Sequence, residues 1–313
     1  MKLNDLNKSS IRLFGIQFKR SWQLYLMILL PLAYLVIFNY VPLYGLQIAF
    51  RNYRPRAGIW GSEWVGLEQF KHFFSNYKWS QYVKNTLTIS LYSILVGFPI
   101  PIFLALCLHV NHHERLKKLT QNLSYLPHFI SVVVMVGILN QVLSPISGVY
   151  SSLMGLLGLP VRDLRSDPGA FYHLVVWSGV WQNMGWSTIM YVAALTAVPQ
   201  DLHEAAMLDG ASRWKRVLHV DLPTIMPTIC MMLILRFGSI MEVGFDKVYL
   251  MQYATNLEKS EVISTYVFKN GVASGQYSYG TAVGLMNSAI TLALVMLVNW
   301  ITNRLSDNEN GLF

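Results

Sequence analysis

Six long apolar stretches alternate with shorter polar segments along the chain. Each stretch is apolar all around a helix, whereas a helix on the surface of a soluble protein carries one apolar stripe at 3.6-residue spacing. A helix needs about 20 apolar residues to cross a bilayer. The pattern therefore predicts an all-α integral membrane protein with about six transmembrane helices. The predicted spans are residues 22–42, 83–108, 123–143, 171–197, 224–243 and 282–303.

Composition agrees with a bilayer environment. Of the 313 residues 53% are hydrophobic and only 13% are charged, against about 25% charged in soluble domains. The first apolar stretch follows a basic segment and is long enough to span, and no small-residue cleavage site comes after it. It is therefore interpreted as a retained span and not as a signal peptide.

The distribution of Lys and Arg predicts the orientation. The net charge is +8, but no long basic run suggests a nucleic-acid surface. Lys and Arg occur in the tail and short loops at residues 1–21, 109–121 and 198–223, which six spans place on one side of the bilayer. The predicted external segment 43–82 also has five, but long translocated loops follow charge less strictly, so the shorter loops decide. The positive-inside rule makes the side of these shorter loops cytoplasmic. We expect the tails 1–21 and 304–313 to lie in the cytoplasm and residues 22–303 to form the transmembrane domain. The protein would be a multi-pass protein of a bacterial cytoplasmic (inner) membrane.

Cysteine and histidine give no sign of a metal centre. Cys107 and Cys230 each lie inside an apolar stretch, without a CxxC or Cys/His pattern. His109, His112 and His113 lie in a predicted cytoplasmic turn, without paired carboxylates. We expect no metal site and no disulfide.

One cytoplasmic segment, Glu204 to Pro223, stands out by its mixture of charge and apolar side chains. Asp201 and Pro199 favour a helix start, Gly210 allows a sharp turn, and a second short helix follows towards Pro223. A solvated loop would have little need for the apolar residues Met207, Leu208 and Trp214. A helix inserted into a groove of another protein would need them.

The same segment resembles the EAA signature of permeases in bacterial ABC importers. That signature is Glu-Ala-Ala, three residues, Gly, nine residues and an aliphatic-x-Leu-Pro ending, here Glu204–Ala206, Gly210 and Val220–Pro223. Trp181–Ala211, Gly244–Leu250 and Gln276–Ile290 resemble the carbohydrate-uptake branch. The resemblance is nearest to permeases for complex oligosaccharides, such as those of alginate-oligosaccharide importers.

The resemblance implies a type I importer permease fold and a set of partners. A second EAA-type permease would complete a heterodimer, two ATP-binding-cassette ATPase subunits would dock on the EAA loops, and a solute-binding protein would deliver oligosaccharide. Glu204 would pair with a basic residue of the ATPase, and Gly210 would make the turn of the coupling helix. The implied docking residues are Glu204, Ala205, Ala206, Met207, Leu208, Asp209, Gly210 and Arg213.

The chain itself has no GxxxxGK[ST] phosphate loop, whose amides and Lys would be required to hold nucleotide. We therefore expect no cofactor and no enzymatic activity in this chain, with ATP and Mg on the partner ATPase. An ion-coupled transporter or channel is the alternative, but it would usually have more buried charge than the single deep cation Arg236. An intramembrane enzyme lacks support, because HExxH and GxSxG are both absent.

Aromatic and amide side chains in the fourth span are candidates for contact with sugar. Trp177 and Trp181 are four residues apart and share a helix face, although Trp177 could equally belong to an interfacial aromatic belt. Arg236 should face a cavity or a partner, and Asn287 could instead bond between helices. The candidate pathway residues are Trp177, Trp181, Gln182, Asn183, Trp186, Arg236, Glu242 and Asn287.

Overall fold

The computed structural model describes residues 21–111 and 113–305, with side chains up to residue 301. The two predicted cytoplasmic tails, except Ser21 and the backbone of residues 304–305, and His112 lie outside the described residues. The described chain is mostly helical and divides into two compact units between Glu68 and Gln69.

The first unit contains one long helix and a hairpin. Helix α1 runs over Ser21–Phe50, with a π-helical turn at Val36–Tyr40 and a 3-10 segment at Val41–Phe50, and it includes the predicted span 22–42. Strands β1 (Arg51–Arg54) and β2 (Gly58–Trp64) then pair antiparallel. Within the hairpin the Arg51 guanidinium lies over the rings of Trp60 and Trp64.

The second unit begins within helix α2 (Glu68–Ser75), and its first long span is α3 (Trp79–Gly97) followed by α4 (Pro99–Val110). Pro99 is tolerated at the junction because a helix start needs no amide donor there. The two helices together are long and apolar enough to cross a membrane as Trp79–Val110, which includes the predicted span 83–108.

The predicted span 123–143 is not one straight helix. Helix α5 (Glu114–Tyr125) continues into a 3-10 turn at Leu126–Phe129, and α6 (Val132–Val142) leaves at 102° to it. The tight turn contains Pro127, which cannot donate a backbone hydrogen bond, and the Ser131 hydroxyl caps the new helix by accepting from the Val134 amide. Helix α7 (Val149–Leu156) follows in the next segment.

Helix α8 (Pro168–Thr196) is the central element of this unit and includes nearly all of the predicted span 171–197. At 29 residues it is long enough to span, about 43 Å at 1.5 Å per residue, but its polar residues make it less apolar than the other long helices. It packs against α3, α4 and α5. At Gly185 the contact is backbone to backbone, because a Cβ there would overlap the carbonyl of Ser124.

The predicted span 224–243 is shorter and bent. Helix α9 (Gln200–Leu208) and α10 (Arg213–Arg216) precede a π-helical turn at Val217–Asp221 and α11 (Leu222–Thr224). Helix α12 (Met226–Gly238) leaves at 61° to that run, with Pro227 in its first turn. The chain after Gly238 turns instead of continuing to residue 243.

Short helices and one long helix complete the unit. Helices α13 (Phe245–Leu250), α14 (Leu257–Ser260) and α15 (Ile263–Val267) lead through a π-helical turn at Phe268–Ala273 to α16 (Tyr277–Leu305). Helix α16 includes the predicted span 282–303. In the described residues three helices are long and apolar enough to cross a membrane, and two bent pairs raise this to five. Helix α8, with 29 residues, is long enough to be the sixth predicted span.

Three clusters of buried apolar residues hold these helices together. One lies between α3, α15 and α16, around Tyr82, Ile263 and Tyr279. A second joins α3, α6, α8 and α13, and a third joins α4 and α8 to residues 217–225. The second and third clusters fix α8 along its length, and α8 therefore positions both regions described next.

Candidate docking loop and transport cavity

The helix–turn–helix predicted at 198–223, termed the docking loop below, is present in the structure. Helix α9 ends in a Schellman motif, in which the Ala211 amide donates to the Ala206 carbonyl and the Gly210 amide donates to that of Met207. Gly210 has a φ of +74°, which glycine adopts without strain. The hydroxyl of Ser212 then caps α10 by accepting from the Lys215 amide.

The docking residues predicted from sequence lie on an exposed surface of this loop. Leu208 is 90% exposed, Met207 51% and Trp214 56%. Glu204, Ala205, Asp209 and Arg213 are exposed as well, and Ala206 is half-buried. Three large apolar side chains exposed beside one turn are typical of a surface that another protein covers.

The base of the loop is fixed by contacts that sequence analysis did not find. The carboxylate of Asp221, which is 1% exposed, lies 3.1 Å from His203 Nε2 and 3.6 Å from His109 Nε2. His203 immediately precedes Glu204 on α9, and His109 lies at the end of α4. The three side chains therefore join the docking helix to a transmembrane helix. No local spacing connects residues so far apart in the sequence.

The same three side chains could in principle surround a cation, because their ligand atoms lie within 4.8 Å of one another. The contacts are equally those of a buried carboxylate held between two imidazoles without a metal. The expectation that the chain holds no metal therefore stays a prediction.

A cavity of about 550 Å³ opens between α3, α8, α12 and α13. Five of the predicted pathway residues line it together, on α8, on α12 and in the turn after α12. They are Gln182, Asn183, Trp186, Arg236 and Glu242. Asp246 and Lys247 of α13 also line it, and sequence analysis missed both because they lie beyond the predicted end of the fifth span.

Hydrogen bonds and stacking hold the α8 side chains of the cavity in place. The Gln182 amide donates to the Ile130 carbonyl at 2.8 Å, and the Asn183 amide donates to that of Gly179 at 3.0 Å. The Trp186 ring stacks on His128 with centroids 4.5 Å apart. These contacts, with that of Asn183 Oδ1 to His128 Nδ1 at 3.1 Å, fix an aromatic ring and two amides at the cavity wall.

The remaining predicted pathway residues lie elsewhere. Trp177 and Trp181 line a second, apolar groove of about 410 Å³ between α6 and α8, and the Trp177 indole donates to the Tyr92 hydroxyl at 2.9 Å. Asn287 lies on α16 and is not among the residues that line either cavity. Its Oδ1 is buried without a hydrogen-bond partner among the described residues. Their roles stay predictions.

Lys247 has an unusual environment for a cation. Its side chain is 8% exposed, and its Nζ has no hydrogen-bond partner within the described part of the chain. Burial lowers the pKa of Lys247 from its usual value to about 8. The group thus keeps most of its charge at neutral pH, in a place where a charge is costly to leave unpaired.

Comparison with known proteins identifies the class. Residues 97–308 match the family described as binding-protein-dependent transport system inner membrane component, and the chain belongs to that family. It is therefore a multi-pass membrane subunit of an ABC importer with the type I permease fold. The ATPase of such a system is a separate subunit, so the chain is not an enzyme. The alternatives of an ion-coupled transporter and an intramembrane enzyme do not agree with this membership.

Individual relatives cover almost the whole chain. It is 40% identical over 296 residues to Protein LplB of Bacillus subtilis (strain 168), covering 94% of this chain and 92% of that protein. It is 41% identical over 290 residues to the polygalacturonan/rhamnogalacturonan transport system permease protein YteP of the same organism, covering 93% and 90%. A crystal structure of a bacterial alginate ABC transporter, in complex with alginate pentasaccharide-bound periplasmic protein, contains a chain that superposes with a TM-score of 0.86 at 35% identity, covering 95% and 98%.

Proposed function

We propose that this permease translocates an oligosaccharide delivered by a solute-binding protein. Two relatives above 30% identity are transporters of polysaccharide-derived substrates by their descriptions, and they match over nearly the full chain. The cavity supports this proposal, because it presents the Trp186 ring and the Asn183 amide side by side.

The docking loop is the proposed contact with an ATPase subunit. The observation that carries this assignment is the 90% exposure of Leu208 at a turn that hydrogen bonds and the Asp221 contacts hold rigid. A rigid apolar projection binds a groove without a large loss of conformational entropy. Glu204 lies on the same helix and would meet a basic residue of the ATPase.

The complete importer would contain a second EAA-type permease, two ATPase subunits that bind ATP and Mg, and the binding protein. The docking loop must then lie in the cytoplasm, where ATP is available. With six spans, we then expect residues 1–21 and 304–313 on the cytoplasmic side as well, which is also the expectation from the positive-inside rule.

The test is reconstitution of this permease, the second permease and the ATPase in proteoliposomes, together with the binding protein. We expect ATP hydrolysis to rise when binding protein loaded with a trisaccharide is added, with uptake of the sugar into the vesicles. Glu204→Lys should abolish both by reversing the charge at the docking surface, while Glu114→Lys, on the exposed surface of α5, should leave both intact. Normal transport by Glu204→Lys would contradict the docking assignment.

A further inference from the structure

The ammonium group of Lys247 is held inside the cavity by the local fold. Gly244 has a φ of +71° and starts α13, which turns Lys247 towards α8. There Nζ lies 3.7 Å from the position that a Cβ of residue 179 would occupy. Gly179 has none, so the space beside the ammonium stays open to the cavity.

A buried ammonium normally has a partner, and this one has none in the described residues. Two acids, Glu242 and Asp246, line the same cavity, but neither lies within 4.0 Å of Lys247, and no ion pair of that length forms with Arg236 within the described ranges. An unpaired charge in such a place is destabilising unless something compensates it. A group that enters the cavity from outside the described residues could therefore compensate it.

The composition of the cavity wall indicates what kind of group compensates it. Lys247 and Arg236 provide two cations on α13 and α12, and the ring of Trp186 provides a face for a sugar. Ammonium and guanidinium groups bind carboxylates through charge-assisted hydrogen bonds. Glu242 and Asp246 bring the formal charge of the four groups to zero, which would keep a bound anion from being held too tightly to leave, as a transport pathway requires.

We propose that Lys247 binds a carboxylate of an acidic oligosaccharide as the sugar crosses the cavity, with Arg236 as the second cation. This inference rests on the proposed function and narrows its substrate class to uronate-containing oligosaccharides. It assigns to Lys247 a role in substrate selection. The rival explanation is that Lys247 pairs permanently with an acidic residue of the second permease.

The experiment uses the reconstituted importer with three probes: trigalacturonate, the trimer of mannuronate and the neutral maltotriose. Lys247→Met removes the charge and keeps an unbranched side chain that is one atom shorter, Lys247→Arg keeps the charge, and Lys71→Met removes an exposed cation outside the cavity. We expect Lys247→Met to lower the initial uptake of an acidic trimer about tenfold, the size of one charge-assisted hydrogen bond. Lys247→Arg should stay within about threefold of the unchanged protein, and Lys71→Met should not differ from it.

The uptake results distinguish failure of the proposed function from failure of the role assigned to Lys247. If the unchanged importer takes up none of the three probes, the proposed function fails. If it takes up maltotriose alone, the proposed function stands and the role of Lys247 is refuted. Equal losses for acidic and neutral probes, or loss of co-purifying second permease in Lys247→Met, would assign the ammonium to the subunit contact. Uptake of an acidic trimer by Lys247→Met within about twofold of the unchanged importer also overturns the inference.

Discussion

The docking loop and the cavity each contain a buried charge, but the two charges differ in whether an oppositely charged or polar group among the described residues lies beside them. In the docking loop the buried Asp221 Oδ1 makes no hydrogen bond in the described residues, but it lies 3.1 Å and 3.6 Å from the Nε2 atoms of two imidazoles of the same chain. In the cavity the buried Lys247 ammonium has no such partner in the described residues. A charge paired internally stiffens its surroundings, whereas an unpaired charge is available to a group that comes and goes. The first arrangement suits a permanent protein contact and the second suits a transient ligand.

The largest effect is expected from a substitution at the tip of the docking loop. Because Leu208 is almost fully exposed, Leu208→Glu should leave the folding of the permease unchanged but place a charge in an apolar groove of the ATPase. We expect the affinity for the ATPase to fall at least 30-fold, as for a binding hot spot of about 2 kcal/mol. Binding of purified ATPase to permease in nanodiscs measures this.

The control is Leu156→Glu, which changes a leucine of similar exposure on α7 and should not alter ATPase binding. Equal affinities for Leu208→Glu and the unchanged permease would mean that the apolar tip is not the docking surface.

The internal pairing at the base of the loop gives the next effect. Asp221→Asn keeps the shape of the side chain but removes the charge that meets His203 and His109. We expect the free energy of unfolding to fall by about 2 kcal/mol, typical of a hydrogen bond or contact to a charged group. Thermal unfolding in detergent reports it, with the exposed Asp201→Asn as control. No change in the midpoint would show that the carboxylate does not hold the loop.

The turn of the docking loop should show a smaller effect. Gly210→Ala forces an L residue into a left-handed conformation, at about 1 kcal/mol. Gly158→Ala introduces the same strain at a φ of +66° in the segment after α7. Both variants should lose similar stability in thermal unfolding, but only Gly210→Ala should weaken ATPase binding, about fivefold by the same conversion. Equal ATPase affinities of the two variants would mean that the turn at Gly210 does not contribute to ATPase binding.

The aromatic wall of the cavity gives an effect about as small as that of Gly210→Ala. Trp186→Leu removes the stacking on His128 and the face offered to a sugar, together about 1 kcal/mol. Uptake of a trisaccharide should fall about fivefold. Trp181→Leu, in the second groove, should reduce uptake less. The reverse order in uptake assays would place the pathway on the α6 side of α8.

The sequence predicts the long helices because apolar runs of bilayer length leave few alternatives. It does not predict the 102° bend in 123–143, since Pro127 and Ser131 are also tolerated inside transmembrane helices and do not by themselves indicate a break. The helix–turn–helix of the docking loop was predictable from Gly210 and its neighbours. The contact of Asp221 with His109 was not, because the fold brings together residues 112 positions apart in sequence.

Prediction of the cavity was partial for a similar reason. Arg236 was found because a charge inside an apolar run is conspicuous, and Gln182, Asn183 and Trp186 because they interrupt α8. Lys247 lies in an ordinary mixed segment, four residues beyond the predicted span. Only the turn at Gly244 and the missing side chain of Gly179 bring its ammonium into the cavity.

The backbone contact of Gly185 with Ser124 limits which sequences this fold accepts. A side chain at 185 would meet a carbonyl of α5, and no exchange of the serine side chain removes a carbonyl. Position 185 is therefore closed both to substitution and to rescue by a second-site change. Gly137 and Gly284 have open space around them in this chain, so a side chain there meets no such barrier from the fold itself. The backbone contact between α5 and α8 would then be retained in related permeases while the residues that select the substrate change.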